Sequence, residues 1–253
     1  MEMEHPTLST MVVLYKTNLS FDTTALVHAL PINDQIIKIE KRGILRRGES
    51  KRDRIKRRSK KESSNTTGFC HNSITLVMLN DGDKTLPEKE ITVKIFQNGV
   101  FHMTGVLHEN YDKCCMRILM NVLQENCKIA IKDNIEVPEV INRRVVLMNY
   151  TTKLSSNETI AREQLHNNIR NSNLEDITSH YDPDVYPGVK ICIGNKNWTA
   201  KVFRTGKIIL TGIVSSEECL ELIQQLLCLF EKVLPQKQKS EMNSKPVARL
   251  TKH

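Results

Sequence analysis

The sequence lacks long apolar runs and has few aromatic residues. Only 5% of its 253 residues are Phe, Trp or Tyr, and tryptophan occurs once. No apolar stretch approaches the roughly 18 residues of a membrane-spanning helix. The N-terminus, Met1-Glu2-Met3-Glu4, lacks the basic and then apolar order of a signal peptide. With 39% hydrophobic and 26% charged residues, the composition predicts a soluble protein with one large core or two small ones.

The sequence also lacks the cysteine pattern of a disulfide framework. Its seven cysteines are odd in number, contain no CxxC and mostly fall at apolar positions, which predicts reduced core thiols in an intracellular compartment. Three groups could be assembled into a zinc site but lack ligand spacing: Cys70 with His71, Cys114 with Cys115, and His102 or His108. Neither a phosphate-binding glycine loop nor a catalytic carboxylate cluster is found, so we predict no metal, no cofactor and no enzyme activity.

One stretch of the chain occurs twice. Residues 93–105 and 200–212 match at a constant offset of 107 without a gap. The matched pairs are Lys94 with Lys201, Phe96 with Phe203, Gly99 with Gly206, Thr104 with Thr211, and Gly105 with Gly212. Each copy alternates like a strand, turns at its first glycine, alternates again and leads into an amphipathic helix pattern. We therefore predict a tandem duplication of a hairpin-plus-helix unit.

Further elements follow from periodicity and capping signals. Strand patterns lie at 11–15, 35–39, 74–79 and 144–149. Helix patterns lie at about 23–30 after an Asp22 cap, at about 110–125, from a cap near Ser156 to about Ile169, and at about 216–233 after a capping box of Ser215 and Glu218. Two repeats are predicted, at 8–134 and 135–235, followed by a basic flexible tail at 236–253.

The positive charge is concentrated in one segment of the first repeat. Residues 41–62 hold twelve basic and three acidic residues, whereas the whole chain has a net charge of +8. The run at 144–149 echoes Val12-Val13-Leu14 at an offset of 133, so the first repeat carries about 26 extra residues before its hairpin. We place this insertion at 41–67 and predict that it is disordered on its own. It could be a nuclear-localisation signal, a nonspecific nucleic-acid arm, or both.

Period-2 alternation assigns the two faces of the predicted hairpins. Ile91, Val93, Ile95, Phe101 and Met103 point to one face, as do Val202, Ile208 and Leu210 in the second copy. The opposite face combines basic, aromatic, aliphatic and hydroxyl side chains, which is an unusual mixture for a surface that meets only water. Two such halves would join edge to edge into one long antiparallel sheet with helices on one side.

A run in the second repeat carries a family resemblance. Residues 181–189 read Tyr-Asp-Pro-Asp-Val-Tyr-Pro-Gly-Val and end 14 residues before Phe203, which opens the run Phe-Arg-Thr-Gly-Lys-Ile-Ile-Leu-Thr-Gly. Both runs resemble the second repeat of the TATA-binding protein family, and Val146-Leu147-Met148-Asn149 resembles its first strand. The resemblance covers roughly residues 11–234 and is strongest in the second repeat. Departures from the cellular pattern suggest a divergent member, such as those of large DNA viruses.

The resemblance implies an α+β saddle of two pseudo-symmetric repeats, whose concave sheet lies in the DNA minor groove and bends A·T-rich duplex. Phe203 with Tyr186, and Phe96 with Phe69, would be the intercalating pairs. The remaining residues that it places on the DNA-binding face are Thr104, Asn149, Thr211, Ile209, Lys94, Lys201 and Lys16. Of these, Lys94 and Lys201 replace a family leucine, and Lys16 aligns with the first-repeat counterpart of Asn149.

Partners and location are implied as well. The basic insertion would follow DNA phosphates, through Arg46, Arg47, Lys51, Arg52, Arg54, Lys56, Arg57 and Arg58. Acidic Glu217, Glu218 and Glu221 on the last helix would face general transcription factors and the RNA polymerase machinery. The expected location is the nucleus, or a cytoplasmic replication site if the protein is viral, with no membrane or small-molecule partner. Two alternatives are a protein-interaction scaffold with weak DNA binding and a saddle domain accessory to a nucleic-acid enzyme.

Overall fold

A computed structural model describes residues 2–51, 53, 72–132, 135, 137–155, 159–172, 174–194 and 196–234. Several predicted positions therefore lie outside the described residues: Phe69, Arg52, Arg54, Lys56, Arg57, Arg58, Ser156 and the tail at 236–253.

The described residues form one open antiparallel sheet of eleven strands. The strands are β1 Thr7–Thr17, β2 Ile36–Lys41, β3 Leu45–Gly48, β4 Ser73–Asn80, β5 Lys89–Phe96, β6 Val100–Val106, β7 Val140–Lys153, β8 Ile177–His180, β9 Val189–Ile193, β10 Trp198–Val202 and β11 Lys207–Ile213. Their order is β3-β2-β4-β5-β6-β1-β7-β11-β10-β9-β8. The two halves therefore meet where β1 pairs with β7, which confirms the predicted edge-to-edge sheet.

Four α-helices are found among the described residues: α1 Thr23–Ala29, α2 Glu109–Asn126, α3 Arg162–Asn171 and α4 Ser216–Val233. Asp22 caps α1 by accepting from the backbone N–H groups of Thr24 and Ala25, as predicted. The capping box before α4 is also confirmed, because the Ser215 hydroxyl accepts from the Glu218 N–H while the Glu218 carboxylate accepts from Val214.

The predicted start of α3 is wrong. Its N-cap is Ala161, which makes no side-chain hydrogen bond to the helix. A serine-rich stretch upstream suggested a cap near residue 156, but the helix begins at Arg162. The side chains that it buries are Leu165 and Ile169, so packing against the sheet, rather than a side-chain cap, holds this helix in place.

Each half has its own apolar core on the helix side of the sheet. The predicted inward residues of both hairpins are all buried, with Phe101 and Leu210 at 0% exposure, whereas their neighbours Thr104 and Thr211 are half-buried on the other face. Met148 packs against both cores. The face assignment from alternation is therefore confirmed.

The register of β1 on β7 defines a pseudo-two-fold axis. Met11 pairs with Met148, and on either side of this pair lie Thr10 with Asn149 and Val12 with Leu147. The axis thus relates positions 137 apart, and the predicted offset of 133 for the first strands is wrong. Consistently, Met11 pairs with Val106 of β6, just as Met148 pairs with Ile213 of β11.

Correction of the offset changes two equivalences. The counterpart of Asn149 is Val12, not Lys16, and Lys16 corresponds instead to Lys153. These lysines pair with Val100 and Lys207, which are themselves equivalent positions in the two hairpins. The two offsets differ by four residues, an even number that leaves every side chain on the same face, so alternation alone could not detect the error.

Part of the basic insertion is ordered, against our prediction of disorder. Residues 41–48 belong to a hairpin in which β3 pairs with β2 and forms one edge of the sheet. Asp53 fixes this edge by accepting from Lys38 at 3.0 Å, from Arg46 at 3.0 Å and from the Ser50 backbone and hydroxyl groups. The backbone of Lys51 donates to Glu90 on β5.

A buried ion pair joins the first core to β7. Asp112 on α2 is fully buried and accepts from Nε of Arg143 at 2.7 Å and from Nη2 at 3.1 Å. The Tyr15 hydroxyl donates to the same carboxylate at 2.7 Å. Burial, followed by the hydrogen bond to Asp112, raises the pKa of Tyr15. The cluster connects α2 and β1 of the first half to a strand of the second half.

Candidate nucleic-acid interface

The open face is the face of the sheet that carries no helix among the described residues. Its side chains alternate with the buried core residues along each strand. Besides Lys38 and Arg46 at the β3 end, seven of them are basic: Lys16, Lys94, Arg144, Lys153, Lys190, Lys201 and Lys207. Within the described part of the chain none of the seven forms an ion pair with a carboxylate.

Three carboxylates lie at one end of the open face, and one more, Asp182, lines a pocket at the other end beside Lys190 and Lys201. Glu40 and Asp53 pair with Lys38 and Arg46 near β3, and Glu90 accepts from the adjoining backbone. The middle and the far end of the face are consequently electropositive. A surface with this distribution of charge attracts and orients a polyanion.

An aromatic pair lies at the tip of the second hairpin. The rings of Tyr186 and Phe203 are 5.8 Å apart between centroids and inclined by 60°. A Cβ at Gly188 would lie 3.0 Å from the Tyr186 ring and 3.3 Å from that of Phe203, so glycine leaves room for the pair. Lys201 Nζ lies 5.2 Å above the Tyr186 ring. The structure thus brings together two residues that the resemblance had paired.

The tip of the first hairpin has the same backbone geometry. The N–H of Gly99 donates to the carbonyl of Phe96 at 3.1 Å, and that of Gly206 donates to Phe203 at 3.0 Å. Both glycines have a positive φ, 73° and 77°, as expected for a three-residue hairpin loop. Phe96 is half-buried on the open face, at the position equivalent to Phe203.

The centre of the open face combines hydrogen-bonding and apolar groups. Asn149 is half-buried, and its amide oxygen is buried with no hydrogen-bond partner among the described residues. Thr104 and Thr211 occupy equivalent half-buried positions on β6 and β11. His102 lies opposite Lys94 on the neighbouring strand, and burial together with the charge of Lys94 lowers the pKa of His102.

Four basic residues of the open face were missed by sequence reasoning: Arg144, Lys153, Lys190 and Lys207. Lys207 lies in the second hairpin, where continuing the alternation from Ile209 would have identified it. Lys153 lies on β7, where continuing the alternation from Asn149 through Thr151 would have identified it. Lys190 follows the conspicuous loop at 181–188, and its partner Lys201 shows that it shares the open face.

One of the predicted phosphate-contacting residues, Arg47, is held by contacts within the fold. The guanidinium of Arg47 donates to the carbonyls of Val27 at 3.1 Å and Leu30 at 2.6 Å, at the end of α1. Arg47 therefore does not belong to a free arm, and the hypothesis that it contacts phosphate is corrected. Arg46 pairs with Asp53 but keeps half of its side chain exposed.

The acidic residues of α4 differ in their availability. Glu217 is exposed, and hydrogen bonds from its own backbone N–H and from Ser215 and Ser216 lower its pKa. Glu221 is exposed and pairs with Lys196 at 3.1 Å. Glu218 is half-buried and engaged in the capping box, so it is less accessible than predicted.

An open antiparallel sheet of two pseudo-equivalent halves, with helices on one face and a basic, aromatic-tipped opposite face, is the saddle class of fold. Residues 149–233 match the family model described as transcription factor TFIID, or TATA-binding protein. The solved structure of Methanococcus jannaschii TBP aligns with a TM-score of 0.57 at 16% identity, covering 91% of this chain and 99% of that chain. Residues 149–233 thus carry the sequence pattern of the TATA-binding protein family, and the chain has the fold of a protein of that family.

The sequence match and the fold match differ in extent. The family model covers the second half alone, whereas the structural alignment covers nearly the whole chain. The first half therefore shares the fold, whereas the sequence match lies in the second half. Among the described residues, no helix is long and apolar enough to cross a membrane.

Proposed function

We propose that this protein is a DNA-binding transcription factor that binds A·T-rich duplex in the minor groove and bends it. The observation that carries the proposal is the open face, where cations without carboxylate partners surround a centre of amide and hydroxyl groups. The match of residues 149–233 supports the same conclusion, since the matching model describes a transcription factor.

Electrostatic attraction supplies the part of the affinity that does not depend on sequence. Each lysine or arginine that neutralises a phosphate releases condensed counterions from the duplex. The lysines at positions 94 and 201 lie at equivalent places in the two hairpins and contribute in this way. Exposed Arg46, Lys51 and the basic residues that follow them in the sequence extend the same contribution beyond the sheet.

Aromatic side chains at the hairpin tips act as wedges. An apolar ring inserted between base pairs unstacks them and kinks the duplex, and the TATA-binding proteins are the type case of this behaviour. Phe203 and Tyr186 form one wedge at the tip of the second half. Phe96 belongs to the other, and Phe69 remains its proposed partner.

Preference for A·T pairs comes from donors on the open face. In the minor groove A·T pairs present only acceptors, whereas a G·C pair adds the guanine amino group. The hydroxyls of Thr104 and Thr211 and the amide of Asn149 can donate to these acceptors, and Ile209 lies on the same face between Thr151 and Lys201 of the neighbouring strands. The guanine amino group of a G·C pair protrudes into the minor groove and would clash with the same side chains.

The helix side remains free for proteins while the open face holds DNA. Glu217 and Glu221 are both exposed on α4, and together they would suit a basic surface of another transcription factor. Reversal of both charges should disrupt a ternary complex on DNA and leave binary DNA binding unchanged.

A mobility-shift comparison tests the proposal. Three duplexes are used: an A·T-rich site, the same site with G·C pairs, and the same site with inosine·cytosine pairs, whose minor-groove edge lacks the amino group. We expect tight binding to the first and third and weak binding to the second. Thr211→Val, nearly isosteric, should reduce this discrimination at an unchanged melting temperature.

The opposite pattern is equally informative. Equal affinity for the three duplexes, with no bend detected by energy transfer between dyes at the duplex ends, would contradict minor-groove readout. The protein-interaction scaffold would then become the better hypothesis. A large loss of thermal stability in Thr211→Val would show that this threonine serves the core.

A further inference from the structure

A pocket lies at the outer edge of the second half, where α3, β8 and the loop at 181–188 meet the open face. Its volume is about 840 Å³, within the range of roughly 300–1,000 Å³ that is common for small-molecule sites. Arg170 lines it from α3 on the helix side, whereas Lys190 and Lys201 line it from the sheet. Three elements therefore contribute a cationic side chain to one concave surface.

Two of these cations face each other on neighbouring strands. Lys190 on β9 is the direct cross-strand partner of Lys201 on β10. Residues paired in this way have Cβ atoms about 5 Å apart, and like charges at such positions are destabilising. His180 on β8 extends the row, because it is the cross-strand partner of Lys190 on the other side. A bound anion would remove the repulsion within this row.

The first half carries a different row at the equivalent place. A line across β5, β4 and β2 there contains Lys94, Thr75 and Glu40, each the cross-strand partner of the next. The ammonium and the carboxylate balance in charge, and Glu40 also pairs with Lys38 at 2.9 Å. The uncompensated row is therefore a property of the second half and does not follow from the fold that the halves share.

Among the described residues that line the pocket, the one carboxylate is engaged in its own loop. Asp182 accepts from the backbone N–H of Asp184 at 3.1 Å, and its carbonyl accepts from Tyr186 at 2.9 Å. None of the ion pairs among the described residues joins Asp182 to Lys190 or Lys201. The positive charge of the pocket thus exceeds its negative charge.

A histidine of the pocket indicates the same positive surroundings. The Nδ1 atom of His166 on α3 is hydrogen-bonded to the Ser179 hydroxyl at 2.8 Å. Burial, followed by the charges of Arg170 and His180, lowers the pKa of His166. Cations that disfavour a further positive charge also attract an anion to the same place.

We propose that this pocket binds a compact polyphosphate, the group carried by a nucleoside triphosphate or by inorganic triphosphate. The planar guanidinium of Arg170 can bind two phosphate oxygens at once, and the ammonium groups of Lys190 and Lys201 bind others as point charges. The rings of Tyr181 and Tyr186 also line the pocket and offer contacts to a base. A duplex on the open face does not reach Arg170 on the helix side, so the site is distinct from the duplex-binding surface.

Isothermal titration calorimetry without DNA tests the site, and its outcome does not depend on the function proposed above. Tripolyphosphate, adenosine triphosphate and adenosine monophosphate are titrated in magnesium-free buffer. We expect one saturable site for the two triphosphates and binding of the monophosphate that is weaker by about tenfold or more. Tighter binding of adenosine triphosphate than of tripolyphosphate assigns a nucleotide as the ligand, whereas equal or weaker binding assigns the inorganic anion.

Charge-removing variants locate the binding in the pocket. Arg170→Gln, Lys190→Thr and Lys201→Gln should each weaken triphosphate binding by about tenfold, the loss of one charge-assisted hydrogen bond. Lys94→Gln is the matched control, because it removes the equivalent charge from the first half and should leave triphosphate binding unchanged. All four side chains are exposed or half-buried, so the melting temperatures should stay close to that of the wild type.

The basic insertion is the competing site for a polyanion. A background variant in which six of its basic residues are replaced by glutamine should retain the single saturable site. Loss of binding in that background would assign the triphosphate to the insertion and overturn the inference. The six residues are Arg54, Lys56, Arg57, Arg58, Lys60 and Lys61.

The Arg170 variant separates the pocket from the duplex-binding surface. Arg170→Gln should weaken triphosphate binding and leave the affinity for the A·T-rich duplex unchanged. Absence of saturable binding at millimolar triphosphate, or an equal loss of both ligands in Arg170→Gln, would overturn the inference. Wild-type protein that binds triphosphate but no duplex would overturn the proposed function alone.

Discussion

The two halves of the sheet share a backbone plan but differ in what they carry. The second half has the aromatic pair of Tyr186 and Phe203, the amide of Asn149 and the family sequence match. The first half has an extra edge strand, a basic insertion and a buried ion pair. The two halves thus share most of their apolar core positions, while their surfaces and one buried position differ.

The largest expected difference between the halves concerns their cores. Asp112 on α2 corresponds to Cys219 on α4, and both are buried. Asp112→Ala leaves the Arg143 guanidinium and the Tyr15 hydroxyl without their partner, which should lower the free energy of unfolding by about 3–5 kcal/mol. Urea denaturation measures the loss, and Cys219→Ala, expected to cost about 1 kcal/mol, is the matched control.

A double-mutant cycle with Arg143→Met separates the ion pair from packing. The second substitution should cost little once Asp112 has been removed, because the uncompensated charge is then gone. Equal losses for Asp112→Ala and Cys219→Ala would show that the ion pair does not distinguish the two cores.

The aromatic tips give the next largest effect. Phe203→Ala removes a ring whose stacking offsets the cost of unstacking a base step, so specific affinity should fall by a few kcal/mol and the bend should decrease. Phe96→Ala should act similarly on the first half. Energy transfer across the duplex measures the bend for each variant.

Comparison of the two phenylalanine variants sharpens the contrast between the halves. A loss of bending in one variant alone would mean that a single wedge operates. An unchanged bend in both would remove the wedge mechanism altogether.

The basic insertion should affect salt dependence rather than specificity. Its ordered part is fixed to the sheet, so the suitable change is neutralisation of Arg54, Lys56, Arg57, Arg58, Lys60 and Lys61 to glutamine. If about four of these contact phosphates, the slope of log K against log salt should fall by roughly four units. The bend angle and the ratio of A·T-rich to random-site affinity should not fall.

Neutralisation of basic residues on the helix side supplies the control. Lys113, Arg117 and Lys128 lie on or after α2, and their replacement by glutamine should leave the slope nearly unchanged. A slope unaffected by the insertion variant would favour a targeting or protein-binding role for that segment.

The smallest expected effect concerns acid sensitivity. His102 in the first half corresponds to Ile209 in the second, and burial and Lys94 lower the pKa of His102. Because the folded protein favours neutral histidine, stability is present above the unfolded pKa of about 6.5 and is lost as the pH falls through the folded value. In His102→Ile the free energy of unfolding should therefore decrease slightly but measurably less than in the wild type between pH 7 and pH 5.

The sign of this pH effect is the decisive observation. A wild-type protein that gains stability on acidification relative to His102→Ile would contradict the environment of His102 described above. Identical profiles would show that the histidine is not appreciably shielded from solvent.

Sequence patterns predicted the helices, hairpins and strand faces that depend on residues close together in the chain. The repeated hairpins, both long helices and the faces of the strands followed from period, turn glycines and capping residues. The register of β1 on β7 did not, because the apolar run Val12-Val13-Leu14 matches best at an offset of 133, whereas the observed offset of 137 aligns it with Asn149-Tyr150-Thr151 and leaves the same faces toward the core. Only the pairing of strands far apart in sequence distinguishes them, and with it the counterpart of Asn149.

The ordered part of the insertion was missed for a different reason. A run such as Leu45-Arg46-Arg47-Gly48 reads as a solvated basic segment. Its strand forms because Arg47 satisfies carbonyls at the end of α1 and because Asp53 gathers two cations at the sheet edge. The carbonyls that Arg47 satisfies are 17 and 20 residues away, so a window around residue 47 contains Asp53 but not this part of the signal.

The anchoring of the insertion at both ends determines where its charges act. One end is held at Asp53 against β2, and the other enters β4 at Ser73, whose cross-strand partner is Phe96. A segment tethered in this way cannot diffuse away from the first half, so its basic groups meet any duplex seated there at an effective concentration that is typically millimolar for short linkers. Intramolecular capture of this kind should slow dissociation of the first half from DNA and leave the second half to be retained by its own contacts.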